Sequence, residues 1–250
     1  WVMRVADRLD LDRRAIRRMA ALRARYGPGP VLLRMPLRNE AIVLEPAQVE
    51  RVLKGSPHPF AVASSEKRAA LRHFQPQGVL VSGEADRQRR RAINDEALDA
   101  HSPVHALAGE FLPWLRAKTS RMAADARARG ELRWEEFVAD WFAIVRRLLL
   151  GEGAQDDHAL TDMLAQLRAD ANWAFVPARK RLREAFLQRL AAHLGRAEPG
   201  SIAGYLAGRR IPAAEAAQQV PQWLFAFDAA AIASFRALAL LASHPEHAGR

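Results

Sequence analysis

Asp228 stands in the most apolar stretch of the chain. From Trp223 to Ala242 only Asp228, Ser234 and Arg236 are polar. Its neighbours one helical turn away, Leu224 and Ile232, offer no ion-pair partner. A carboxylate in such surroundings is costly unless it meets a distant cation, a water or a backbone donor, or lies beside a cavity. Two readings follow: a hydrogen bond tying this helix to another, or a polar group at a functional site in the core. Ala226, Ala229, Ala230 and Ala231 surround it, and a wall of methyl-sized side chains lets a flat ligand approach a helix backbone.

A second constellation is Asp86-Arg87-Gln88-Arg89-Arg90-Arg91, in which four arginines occupy five positions. On a helix they cover every side. Asp86 and Arg90 form an ordinary one-turn ion pair, so a solvated charged face and a phosphate-binding helix are both readings of the same residues. His101 and His105 have the spacing of metal ligands, but Ser102-Pro103 places a helix start between them. His244 and His247 flank a proline. Trp173, Phe175 and Trp223 read as core or pocket wall in place of nucleic-acid stacking groups. The chain has no cysteine, so no disulfide, thiolate nucleophile or thiolate-ligated metal can come from these residues. No Gly-rich phosphate loop and no Gly-x-Ser-x-Gly elbow is present.

The elements that must position these groups are mostly helical. Asp10 to Tyr26 carries a stripe of Ile16, Met19, Ala20 and Leu22, ended by Gly27-Pro28-Gly29-Pro30. Val31 to Leu37 and Ala41 to Leu44 read as a hairpin turning at Arg38 to Glu40. Pro46 opens a short helix stopped by Gly55. Ser56 to Pro59 and His73 to Gly83 are irregular. Helices are expected from Glu84 to about Leu98, from Ser102-Pro103 to Arg129 with a bend at Pro113, and from Arg133 to Leu150. They continue from Ala159 to Trp173 and from Ala178 to Leu194. Pro212 opens the last, reaching about Ser243. Its stretch of twenty mostly apolar residues from Trp223 to Ala242 could just span a bilayer. Asp and Arg near a span centre each cost about 2.5–3.5 kcal/mol, which favours a buried central helix.

With 250 residues, half of them hydrophobic, the composition is globular, and one large domain over 1–250 is expected. The net charge is +10, and Lys and Arg total 38; lysine appears only at Lys54, Lys67, Lys118 and Lys180. Arginine and alanine enrichment reads as the codon bias of a GC-rich bacterial genome, or as an electropositive face for an acidic partner or nucleic acid. Trp1 to Arg25 shows no signal-peptide core, so nothing argues for export and a cytoplasmic location is expected.

The run Trp223-Leu224-Phe225-Ala226-Phe227-Asp228-Ala229-Ala230 resembles the distal (I) helix of the cytochromes P-450, the haem-thiolate monooxygenases. Ala226 matches the glycine of that pattern and Asp228 its acid. Phe225 stands where a small residue is usual, and Ala229 where a threonine takes part in proton delivery; alanine cannot donate a hydrogen bond. Leu240-Leu241-Ala242-Ser243-His244-Pro245-Glu246 is similar to the family's helix exit. Gly83 to Asn94 resembles the family helix whose His or Trp and Arg bind a haem propionate. Arg90 falls on that arginine, suited to a two-bond grip on a carboxylate. Asp86 falls on the His or Trp. Ala100-His101-Ser102-Pro103 and Leu148-Leu149-Leu150-Gly151 add further similarity, in order, from about Tyr26 to Pro245.

The resemblance implies a soluble bacterial haem-dependent monooxygenase of mainly α fold with a small N-terminal sheet. Its cofactor would be haem b (iron protoporphyrin IX). Asp228 and Ala229 would stand at the catalytic positions and Arg90, Asp86 and Ala226 at the cofactor. Phe225, Phe227 and Ala230 would line the substrate pocket. Electrons would come from a ferredoxin or flavoprotein reductase docking on Arg87, Arg89 and Arg91, with a small organic molecule as substrate and neither nucleic acid nor membrane as partner. The family's Glu-x-x-Arg helix and cysteine loop are absent. No metal ligand lies in this chain, and the natural chain is expected to continue past Arg250. The alternatives are a basic helical nucleic-acid-binding protein and a non-catalytic fragment of the same fold, exposing a large apolar face.

Overall fold

Arginine- and alanine-rich sequence with no interior Gly or Pro forms helix α1 (Leu11–Tyr26), which ends where Gly27 takes φ 77°. Strands β1 (Val31–Arg34) and β2 (Asn39–Ile42) then pair antiparallel, Val31 opposite Ile42 and Arg34 opposite Asn39. Helix α2 (Pro46–Lys54) starts with Pro46 in its first turn and stops at Gly55. The computed structural model describes residues 11–34, 39–173 and 176–247. Residues 35–38, with Arg38 of the expected turn, lie outside these, as do Asp10 and Phe175; Asn39 and Glu40, expected in that turn, are instead paired in β2 with Arg34 and Leu33. The chain divides into two compact units, Trp1–Val62 and Ala63–Arg250. In the first, Arg23 pairs with Glu45 at 2.5 Å, and Gln48 Nε2 donates to the Pro28 carbonyl.

The second unit holds the core. Its helices are α3 (Ser65–Leu71), α4 (Glu84–Ala97), α5 (Ala108–Arg129), α6 (Trp134–Leu150), α7 (His158–Ala171), α8 (Lys180–Arg196), α9 (Ile202–Gly208), α10 (Ala213–Ala217) and α11 (Val220–Ser243). Leu150, Leu160, Leu167, Phe186, Leu190 and Leu224 are fully buried at its centre. Helix α8 packs on α7, α9 and α10, while α6 packs on α9 and α11. The protein is thus mainly helical with one small antiparallel sheet, as the sequence led us to expect.

Two expected helix bounds are corrected. Helix α5 begins at Ala108, not at Ser102-Pro103. Asp99, at φ 48°, accepts a hydrogen bond from the Ala106 amide at 2.9 Å, and His105 Nδ1 accepts one from Leu107 at 3.0 Å. These side chains capture amides of the stretch before α5 and hold it as turns. Pro113 lies one turn inside α5, and the helix runs on through it.

The helix expected from Pro212 to Ser243 is two helices, α10 and α11. Pro221 cannot donate to the ladder, and its ring clashes with the carbonyl one turn back, at Ala217. The break frees the Gln219 side chain, 1% exposed, to turn inward. Its Oε1 accepts from the Val79 amide (3.0 Å) and from Asn94 Nδ2 (3.3 Å), and its Nε2 donates to the Gln77 carbonyl (3.0 Å).

The expectation that α11 is buried is corrected as well. Among its residues only Val220, Pro221, Leu224 and Ala231 are buried. Helix α6 covers one side, where Phe235 meets Trp134 and Phe137 at centroid distances of 5.3 Å. Ala226, Ala229, Ala233, Ala237 and Leu240, spaced three or four apart on the opposite side, are exposed. By length and composition alone α11 could cross a membrane. Helices α3 and α9 had no counterpart in the sequence reading.

Candidate functional site

Asp228 lies on the flank of α11, between its buried and exposed stripes. The distant cation that its chemistry demands is Arg168, in the last turn of α7. Arg168 Nη2 donates to Asp228 Oδ2 at 2.7 Å, and the two side chains keep 28% and 23% of their exposure. The Arg168 guanidinium also lies 4.8 Å from the centre of the Phe225 ring, a cation–π contact that fixes its plane. Phe225 in turn meets Phe74, with ring centroids 6.4 Å apart.

These groups line a cleft of about 470 Å³ bounded by the end of α3, the last turns of α7 and the flank of α11. Leu71, Phe74, Ala165, Ala169 and Phe225 give it an apolar wall; Arg168, Asp228 and Asn172 are its polar groups. The Arg168–Asp228 link is a single hydrogen bond. A guanidinium carries five N–H donors and an ionised carboxylate two acceptor oxygens. Among the described residues the other Arg168 side-chain N–H groups, Asp228 Oδ1 and the Asn172 side-chain carboxamide have no protein partner.

Of the pocket residues expected from sequence, Phe225 lines this cleft. Phe227 turns to the core, and its carbonyl accepts from Trp141 Nε1 at 3.0 Å. Ala230 is half-buried on the other flank, and Ala226 and Ala229 are exposed on the open face. The structure therefore separates Asp228 from Ala226 and Ala229 around the helix. Arg168, Phe74 and Asn172 were not singled out from the sequence. The one signal that could have found Arg168 was the need of Asp228 for a cation on another element.

Of the expected cofactor residues, Arg90 and Asp86 sit on α4, where Gly83 and Glu84 open the helix, and Ala226 sits on α11. Arg90 is largely buried, its side chain 13% exposed, and donates to Ser82 Oγ at 2.7 Å while pairing with Asp86 at 3.2 Å. Asp86 also pairs with Arg89 at 3.3 Å. Below Arg90, Asn94 Nδ2 donates to the Arg90 carbonyl, and Asn94 Oδ1 accepts from Trp223 Nε1 at 2.7 Å. This chain of bonds fixes α4 against the start of α11.

The positive charge of α4 is partly met by its own neighbours. Arg89 pairs with Glu215 at 3.0 Å and Arg91 with Asp95 at 2.9 Å. His105 is tied to the Ala97 carbonyl and packed against the tilted Tyr205 ring, so it does not face His101 as a second ligand. Among the described residues no cluster of three His, Asp or Glu side chains could hold a metal.

A second polar cluster joins α6, α7 and α8. Asp157 caps α7 through the Leu160 amide and accepts from Arg189 Nε and His193 Nε2, both at 2.6 Å. Burial pushes the Asp157 carboxyl up, but these bonds outweigh it and hold the pKa at about 2. His193 also contacts Arg196, which pairs with Glu198. Arg146 is fully buried, donating to the Gln155 carbonyl and Thr161 Oγ1; burial lowers its pKa below the usual arginine range. The charged groups of this cluster satisfy one another and the backbone, and it reads as structural.

Compared with known proteins, the chain matches no family model, no curated protein and no solved structure.

Proposed function

We propose that the protein is a haem-dependent monooxygenase of the cytochrome P-450 type, oxidising a small organic molecule with electrons from a ferredoxin or flavoprotein. The observation that carries this reading is the two-sided build of α11. One face presents Ala226, Ala229 and Ala233 to open space, and an adjoining flank presents Asp228 to an apolar cleft. A flat macrocycle needs a wall no taller than a methyl group, and the alanine face fits that need. Arg90 fits the role of propionate ligand in type and placement, since α4 is bonded to the start of α11 through Asn94 and Trp223. To take a propionate it would exchange Asp86, which is half-exposed and keeps Arg89 as a partner.

Bound haem would supply dioxygen activation, with the iron's thiolate coming from outside these residues, which contain no cysteine. The chain's own residues would shape the rest. Phe225 and Phe74 would hold the apolar part of the substrate and keep bulk water out of the cleft. Asp228, with Oδ1 unengaged, would accept or pass a proton in the cleft, and Ala229, on the open face, has no hydroxyl to do so. Arg89 and Arg91, whose side chains remain 56% and 62% exposed, would recruit an acidic redox partner.

The reduced, carbon-monoxide difference spectrum of the complete gene product tests the reading. A red-shifted Soret band is expected. A folded product with no haem absorbance would overturn it.

A further inference from the structure

We infer that the cleft between α3, α7 and α11 takes a small uncharged amphipathic molecule with an amide-type head, one that both accepts and donates hydrogen bonds. The inference rests on the proposed function for what is done to the bound molecule, but binding itself needs only the residues of the cleft.

Size comes first. A volume of about 470 Å³ lies within the usual range of small-molecule sites. Its wall of Leu71, Phe74, Phe225 and alanines suits a single ring or a short branched chain, which the tilted Phe74 and Phe225 rings would hold.

The polar head is set by charge and by unspent hydrogen bonds. Arg168 and Asp228 are linked by one bond where a two-bond fork was open to them. Guanidinium donors and one carboxylate oxygen are left over at the edge of an apolar space. The pair has no net charge. A ligand carboxylate would find donors on Arg168 but would bring a negative charge beside Asp228. A ligand ammonium would find Asp228 but would bring a positive charge beside Arg168. Either leaves one charge uncompensated where desolvation is costly. A carboxamide places its carbonyl on Arg168 and its N–H on Asp228 Oδ1 and adds no charge. The Asn172 amide, itself donor and acceptor, extends the same complementarity. Phe225 holds the Arg168 plane at 4.8 Å, so the head meets a pre-set donor edge.

The test is calorimetric titration of the protein with three ligands of one shape: 3-phenylpropanamide, 3-phenylpropanoate and 3-phenylpropylammonium. The amide is expected to bind about tenfold more tightly than either ion, the difference of one well-made hydrogen bond. In Arg168→Gln the preference should swing to the ammonium, and in Asp228→Asn to the carboxylate. Equal binding of all three, no binding of any, or an unchanged ranking in folded variants would overturn the inference. If a variant fails to fold, the ranking on the unaltered protein decides. A thiolate-type haem spectrum without amide preference would sink this inference alone. Amide preference in a product that carries no haem would sink the proposed function and leave the site standing.

Discussion

At the residue scale, the informative side chains are those whose chemistry cannot be satisfied locally. Asp228 was legible as such: it sits in an apolar run with no partner a turn away, and the structure supplies Arg168, sixty positions earlier. Which arginine would answer was not legible, because the chain offers dozens and only packing of α7 on α11 selects one. Arg146 was not legible at all. It follows Val145 and precedes Leu148-Leu149-Leu150 in a helix that reads as amphipathic, yet it is fully buried. Its Nε donates to the Gln155 carbonyl in the turn after α6 at 2.8 Å, and its Nη1 to Thr161 Oγ1 on α7 at 3.0 Å. Arg146→Ala removes these bonds, orphans the Gln155 carbonyl and opens a cavity. A loss of about 2–4 kcal/mol in unfolding free energy is expected, read from urea titration. A loss below about 0.5 kcal/mol, the level of an ordinary surface change, would show that the turn does not depend on Arg146.

At the element scale, helices ended by strong signals were legible and those bounded by side-chain capture were not. Gly130 at φ 80° ends α5 and Gly151 at φ 104° ends α6, where a Cβ would run into Glu198. Helix α3 was missed. Its cap, Ser64 accepting from the Lys67 amide at 3.2 Å, is a short polar signal in a stretch without an apolar stripe. Helix α9, capped in the same way by Ser201, is equally short. The apolar run of α11 gave a helix correctly but not its burial, because composition states what a helix could bury and not which neighbours are present.

Two measurements follow at this scale. The Trp223–Asn94 bond joins α11 to α4, and Asn94 is 8% exposed. Trp223→Phe, which leaves Asn94 Oδ1 without its donor, should cost about 1–3 kcal/mol in thermal or urea unfolding; an unchanged midpoint would mean that water replaces the indole. Amide hydrogen exchange should be slow from Leu224 to Ala231, around the buried stripe, and much faster from Ala237 to Ser243, where every described residue is exposed. Uniform protection along α11 would mean that its last turns are covered as well as its buried stripe.

At the scale of the whole molecule, charge governs. The protein carries +10 at neutral pH from 38 basic and 28 acidic side chains, and acid removes the carboxylates that offset its arginines. Two effects then separate by their response to salt. Repulsion among exposed arginines is screened within about 10 Å at 0.1 M ionic strength. The Asp157 contribution is not, because its side chain is 6% exposed and bonded to Arg189 and to His193, also 6% exposed. Its folded pKa is depressed, to about 2 from the ordinary 3.8. The stability it contributes is therefore fully present above about pH 4 and lost as pH falls through about 2, and is on the order of 2 kcal/mol. Melting temperature measured from pH 5 to pH 2 should fall in low salt, recover in part when salt is added, and keep a residual fall between pH 4 and 2. In Asp157→Asn the residual fall should vanish, with the melting temperature lowered at neutral pH, since Asn keeps the cap of α7 but not the charge that Arg189 meets. If Asp157→Asn retains the same salt-resistant slope, the acid sensitivity belongs to other carboxylates. The junction of α7 with α8 would then not be the acid-labile point of the fold.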